Sequence, residues 1–169
     1  MKLLISVVLV LLALLLGGLL LAAGALLLNR LPWDQPPGAA ARLVVYLGSN
    51  SAATDPASDF PELRPPRYDI TPEALHAAAV QAVERLGWEV SAREEGERLL
   101  AAVIITPLLR FRDDVEIRAE RGPAGGSLLT AHSASRVGRA DFGANTRHLL
   151  DLFAMVDTIV AGNHRRGAD

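Results

Sequence analysis

Ser133 to Arg147 reads SASRVGRADFGANTR and gathers Arg136, Arg139, Arg147, Asp141, Asn145, Gly138 and Gly143 into one short stretch. Such residue types suit an anion site. Guanidinium groups offer paired donors to phosphate or carboxylate, and backbone N–H groups at a helix start add positive potential. Arg136, Arg139, Asn145 and Arg147 are therefore the candidate binding residues, with a phosphate, a carboxylate or an anionic lipid headgroup as ligand. A competing account keeps these charges inside the fold. Asp113, Asp114 and Asp141 can neutralise the same arginines, and Asp141 is placed to cap the helix that follows. Asp113 and Asp114 are neighbours on a strand, so their side chains leave opposite faces and cannot form a paired-acid site together. One of them facing Arg136 or Arg139 across the sheet would fix strand register.

Other chemistries find less support. The four histidines (His76, His132, His148, His164) lack metal-ligand spacing and read as surface or boundary residues. Ser133 and Ser135 lack the GxSxG elbow that presents a serine nucleophile, and their alternation with Ala134 marks one strand face. No Walker A or dinucleotide glycine pattern is present, and no cofactor is called for. The absence of cysteine removes disulfides, thiolate metal sites and a lipid-modified N-terminal cysteine. A net charge of −2 argues against nucleic acid as a partner, because no basic face large enough for several phosphates is implied. The basic residues are 16 arginines and Lys2, a bias read as compositional.

The stretch needs a strand before it and a helix after it. Ser127 to Arg136 supplies the strand. Leu149, Leu152, Phe153, Val156 and Ile159 recur at helical spacing after it, and a polar tail, 163–169, is expected to fray. Upstream, Thr71-Pro72-Glu73 is a helix opening, with a hydroxyl cap and proline at the first helical position. Leu75, Ala79, Val83 and Leu86 give that helix a buried stripe, and Gly87 ends it. Trp88, Val90 and Ala92 alternate with Glu89 and Ser91 as a strand with one wet face. A hairpin turn at 93–97 leads to Arg98–Thr106, whose unbroken apolar run predicts the central strand, interrupted by Pro107. Phe111 to Glu120 alternates again. Helix, four meandering strands and helix predict an α+β domain of two layers, a four-stranded antiparallel sheet packed with two helices over residues 71–162.

Residues 1–28 form a separate apolar segment. The run from Leu3 to Leu28 exceeds the roughly 20 residues needed to cross a bilayer and the about 7–15 of a typical signal core. An uncleaved transmembrane anchor is therefore expected, although Ala23-Gly24-Ala25 fits a signal-peptide cleavage pattern. Lys2 on one side and Arg30 and Arg42, offset by Asp34, on the other nearly balance. The short leading tail favours a domain on the non-cytoplasmic side. Residues 29–70 hold seven of the ten prolines and read as a tether without long regular structure. Within it Trp33 is expected at the membrane interface, and Leu43 to Leu47 as an edge strand or a segment laid on the domain.

SASRVGRADFGAN at 133–145 resembles the signature of the family of domains of unknown function numbered 1499. PPG at 36–38, FPELRPPRY at 60–68, LGWEV at 86–90 and FRDDVEIR at 111–118 are similar to other parts of that family, in the same order. The helix after Asn145 departs from it, reading TRHLLDLF where an arginine-isoleucine pair is more typical. The resemblance implies a membrane-associated or exported bacterial-type protein and carries no activity with it. The first functional reading is a single-pass membrane protein whose domain binds or scaffolds without catalysis, with the bilayer, an anionic lipid or a protein as partner. A lipid- or small-ligand-binding groove near Arg136 is the second. A hydrolase centred on Asp113, Asp114, Arg136 and Asp141 is the third.

Overall fold

The computed structural model describes residues 1–106 and 110–166. Helix α1, Lys2–Leu28, has no buried residue, and its most apolar stretch has a mean hydropathy of 3.1. At about 1.5 Å per residue its 27 residues exceed the ~30 Å hydrocarbon layer. It is long and apolar enough to span a membrane, a property that signal sequences share.

The sheet has six strands rather than the expected four. The meander supplies β3 (Glu89–Glu94), β4 (Leu99–Ile105), β5 (Arg112–Arg121) and β6 (Ser127–Ser135). The two additional strands, β1 (Ser51–Ala53) and β2 (Arg67–Tyr68), pair antiparallel with opposite ends of β6. Three and two residues are too few to show a period-2 pattern, so the proline-rich segment conceals them. The order β1-β6-β5-β4-β3 also corrects the placing of the central strand, which is β5; β4 lies one in from the edge. Pro107, the expected interruption, lies outside the described residues. All six residues of β3 are exposed, so the buried face expected for Val90 and Ala92 is not formed; the register shifts between them.

Helices α3 (Pro72–Arg85) and α4 (Ala144–Arg166) cover one sheet face. Thr71 Oγ1 accepts from the Ala74 N–H at 3.2 Å, capping α3. Its other end closes as a Schellman motif: Gly87 N–H donates to Glu84 O and Trp88 N–H to Val83 O, both at 3.1 Å, with Gly87 at φ +71°. Leu75, Ala79 and Val83 of α3 and Leu149, Leu152 and Val156 of α4 meet Leu100, Val115, Ile117 and Leu129 in the core. This packing fixes the register. A one-residue slip of β5 would expose Val115, Ile117 and Ala119 and bury Asp114, Glu116 and Arg118. The last helix continues to Arg166, through part of the expected frayed tail; residues 167–169 lie outside the described residues.

Residues 29–70 hold more regular structure than their prolines suggest. Of the two expectations for Leu43 to Leu47, the edge strand is not formed; the segment lies on the domain as helix α2, Ala39–Gly48, and a 3-10 turn spans Pro61–Leu63. Arg42, fully buried, explains the helix. Its guanidinium donates to both Glu62 carboxylate oxygens, to the Gln35 and Pro36 carbonyls and to the Tyr46 hydroxyl, and lies 4.9 Å from the Phe60 ring centroid. Helical spacing sets Arg42 and Tyr46 one turn apart on the inward face. Trp33 stands edge-on to Tyr46 at 5.4 Å, so its ring is docked on the protein.

Candidate functional site

At one end of the covered sheet face the apolar core gives way to polar groups. Asp141, between β6 and α4, accepts from the Gly143 N–H at 2.8 Å through Oδ1. Through Oδ2 it accepts from the Asn145 N–H at 3.1 Å and Asn145 Nδ2 at 2.7 Å. Two of the donors that a helix start leaves unpaired are thus satisfied from just outside α4. Asn145 is fully buried. Its Nδ2 also donates to the Asn50 carbonyl and the Ser135 hydroxyl, and its Oδ1 accepts from Ser133 Oγ at 2.5 Å. Asn50 Nδ2 returns to the Ser135 and Gly138 carbonyls. The network therefore stitches three chain segments together.

Ser133, His148 and Asp113 also meet here, and the meeting invites a catalytic reading that the geometry does not support. Ser133 Oγ lies 3.4 Å from His148 Nδ1, and Asp113 Oδ2 lies 3.8 Å from the same nitrogen. A nucleophilic triad needs the serine and the acid on different ring nitrogens. Here both face one. Ser133 is also fully buried and Asp113 is 1% exposed, so no substrate carbonyl reaches them. Burial holds the His148 pKa below the ordinary histidine value, although Asp113, Asp151 and Asp141 oppose that shift. Trp88 stands edge-on to the ring at 6.1 Å. His76 is buried, so this one histidine is interior rather than a surface or boundary residue, whereas His148 is half-buried at the boundary as expected.

The three arginines of the stretch go separate ways. Arg136 makes a bidentate pair with Asp114, at 2.8 and 2.7 Å, on the exposed side. Hydrogen bonding within that pair lowers the Asp114 pKa and raises that of Arg136. Arg147 pairs with Asp151 one turn along α4, which raises its pKa. Arg139 is exposed and, among the described residues, its side chain has no hydrogen bond or ion pair. The candidate anion residues therefore do not converge. Asp113 and Asp114 leave opposite faces of β5, so the acids proposed for a hydrolase are divided between the two sides of the sheet. A hollow of about 220 Å³ lies elsewhere, beside Glu116, Arg118, Thr130 and His132, and is smaller than the ~300–1,000 Å³ of usual ligand sites. Arg136 is not in its lining.

What the corner does hold is the chain leaving α1. Asn29 Nδ2 donates to the Phe142 carbonyl at 2.9 Å, and the Phe142 N–H donates to the Tyr46 carbonyl at 3.1 Å. The Asp141 N–H donates to the Ser49 carbonyl at 3.0 Å. Leu31, 6% exposed, packs on Gly143: a Cβ built there would lie 2.4 Å from Leu31 Cδ1. Phe142 and Gly143, at φ +54° and +80°, form a left-handed bend that glycine accommodates and phenylalanine rarely adopts. Asn29, Leu31, Arg42 and Asn50 carry no motif. The signal available in the sequence was a lone arginine inside an apolar run, Leu43 to Leu47 following Arg42.

A family model for proteins of unknown function, DUF1499, matches residues 40–156. The chain belongs to the DUF1499 family. The matched span begins inside α2 and ends within α4, so it takes in Arg42, the whole sheet and the polar corner. Within this DUF1499 domain, FPELRPPRY contributes Phe60 and Glu62 around Arg42, LGWEV the Schellman turn, and FRDDVEIR the central strand. No curated protein matches the chain.

Proposed function

We propose that this DUF1499 protein is a membrane-tethered domain that binds or scaffolds a partner at the membrane surface without catalysis, with its domain on the non-cytoplasmic side. One observation carries the reading. The polar groups that looked most capable of chemistry bind one another and the segment leaving α1, through Asp141, Phe142, Gly143 and Asn145. A corner built to hold the domain against an apolar helix of 27 residues suits a protein that must sit at a defined distance from a bilayer. Arg30 and Arg139, both exposed and without side-chain partners among the described residues, leave positive charge for an anionic headgroup or an acidic protein surface.

Two measurements on the chain isolated from cells test this. Intact mass reports whether α1 is retained, and alkaline carbonate extraction reports whether the chain stays in the membrane. Loss of the residues up to Ala25, with release into the soluble fraction, would refute the tether. Protease protection in sealed vesicles then reports the side on which the domain lies.

A further inference from the structure

We propose that helix α2 lies in the membrane interface, its apolar outer face set into the headgroup and acyl boundary of the bilayer that α1 enters. The helix is amphipathic in an inverted sense. Its buried side chains are Arg42 and Tyr46, whereas Leu43, Val44, Val45 and Leu47 are 40%, 73%, 40% and 47% exposed. No charged or polar side chain interrupts that outer face, which includes Ala40 and Ala41. Water is a poor environment for such a face, and contiguous exposed apolar surface on a folded domain marks a contact.

The position of α2 points to lipid as the occupant. One residue, Phe142, is bonded both to the chain leaving α1, through Asn29, and to the last turn of α2, through the Tyr46 carbonyl. The end of α1 and the end of α2 are therefore held at one corner of the domain. Ten residues at about 1.5 Å each make α2 about 15 Å long, so all of it stays close to the point where α1 leaves the domain. Interfacial helices set their apolar side about 5–10 Å into the headgroup and acyl boundary. Around the same corner Arg30 and Arg139 are exposed without side-chain partners among the described residues, and Val137 is 65% exposed. Basic and apolar groups together suit an anionic lipid surface better than a water-facing one. This inference rests on the tether reading, since α1 must be retained to bring α2 to the bilayer.

The chain has no cysteine, so single-site labelling is direct. Val44→Cys and Glu94→Cys, each in the full chain, place an environment-sensitive fluorophore on the α2 face and at the exposed hairpin end of β3, away from the corner. Both proteins are reconstituted into vesicles of phosphatidylcholine and phosphatidylglycerol. Flotation reports the tether, and quenching reports α2. The expected result is co-flotation, with the Val44 label quenched by lipids brominated near the glycerol end of their acyl chains. Its quenching by aqueous iodide should be several-fold weaker than that of the Glu94 label. Equal iodide quenching of both labels in a floating protein would overturn the interfacial helix and leave the tether standing. Failure to float would overturn both. A Val44 label shielded from iodide and from brominated lipid alike, with Val44→Cys crosslinking copy to copy, would replace lipid with a second copy of the chain.

Discussion

Arg42→Ala tests whether the segment after α1 is built around a buried charge. The side chain is 0% exposed, and the Glu62 side chain that it pairs with is 12% exposed. Truncation leaves the Glu62 carboxylate without its guanidinium and the Gln35 and Pro36 carbonyls without their donor. Breaking one side of a buried pair costs about 3–5 kcal/mol. Glu62 retains some contact with water, so about 3 kcal/mol is expected, a fall in Tm of about 10 °C for a domain of this size. Glu62→Gln should cost less, because Arg42 keeps both carbonyls, the Tyr46 hydroxyl and the Phe60 ring. The double variant should lose less than the sum of the singles, with a coupling of about 2 kcal/mol. Urea titration of the full chain in detergent, followed by far-ultraviolet circular dichroism, gives the free energies, and hydrogen exchange over α2 locates the loss. A loss below about 1 kcal/mol, the range of solvent-exposed pairs, would refute the buried hub.

Gly143→Ala places a methyl group against Leu31 at φ +80° and is expected to cost about 1–2 kcal/mol in backbone strain alone, with faster proteolysis across residues 29–38. In a Leu31→Ala background the proteolysis effect should largely disappear; an unchanged effect would show that the contact is not what holds the segment. His148 has a native pKa below the ordinary 6.5, so between the two values the unfolded chain binds a proton that the folded chain does not. Its contribution is complete above pH 6.5 and is lost as pH falls, with a slope of at most about 1.4 kcal/mol per pH unit. Tm measured from pH 7.5 to 5 should fall less steeply in His148→Gln, and parallel curves would remove His148 as the cause. Asp141→Ala, which deletes three acceptor contacts at the α4 start, should cost about 1–2 kcal/mol by denaturant titration. Arg139→Ala should leave Tm unchanged, and a clear fall would reveal a structural partner for that side chain.

The meander and both covering helices are legible in the sequence because their signals are local. Thr71-Pro72 and Gly87 mark the ends of α3, and the alternation of Val115, Ile117 and Ala119 with charged residues marks the buried side of β5. The remainder depends on long-range partners that leave no periodicity. β1 and β2 exist because β6 offers an edge, not because Ser51-Ala52-Ala53 or Arg67-Tyr68 favours extension. In α2, composition suggests a strand, and helix wins because one buried arginine must reach Glu62, two carbonyls and a hydroxyl one turn away.

The same distinction explains why the polar corner looks like a site when read as sequence. Residue type reports what a side chain can bind, and only the fold reports what it is already bound to. Asp141 and Asn145 have chemistry suited to a ligand, but that capacity is taken up by Gly143, Asn50, Ser133 and Ser135. Arg136 and Arg147 are likewise occupied, by Asp114 and Asp151. Around this corner, the groups left exposed among the described residues include some of another kind: an apolar helix face at Val44 and Leu47, and the arginines Arg30 and Arg139. With polar groups consumed in fixing the domain's posture and apolar ones left exposed beside a membrane-length helix, the unsatisfied surface is the one we propose faces lipid. Function in this chain is then to be sought in what the posture presents outward rather than in the corner that sets it.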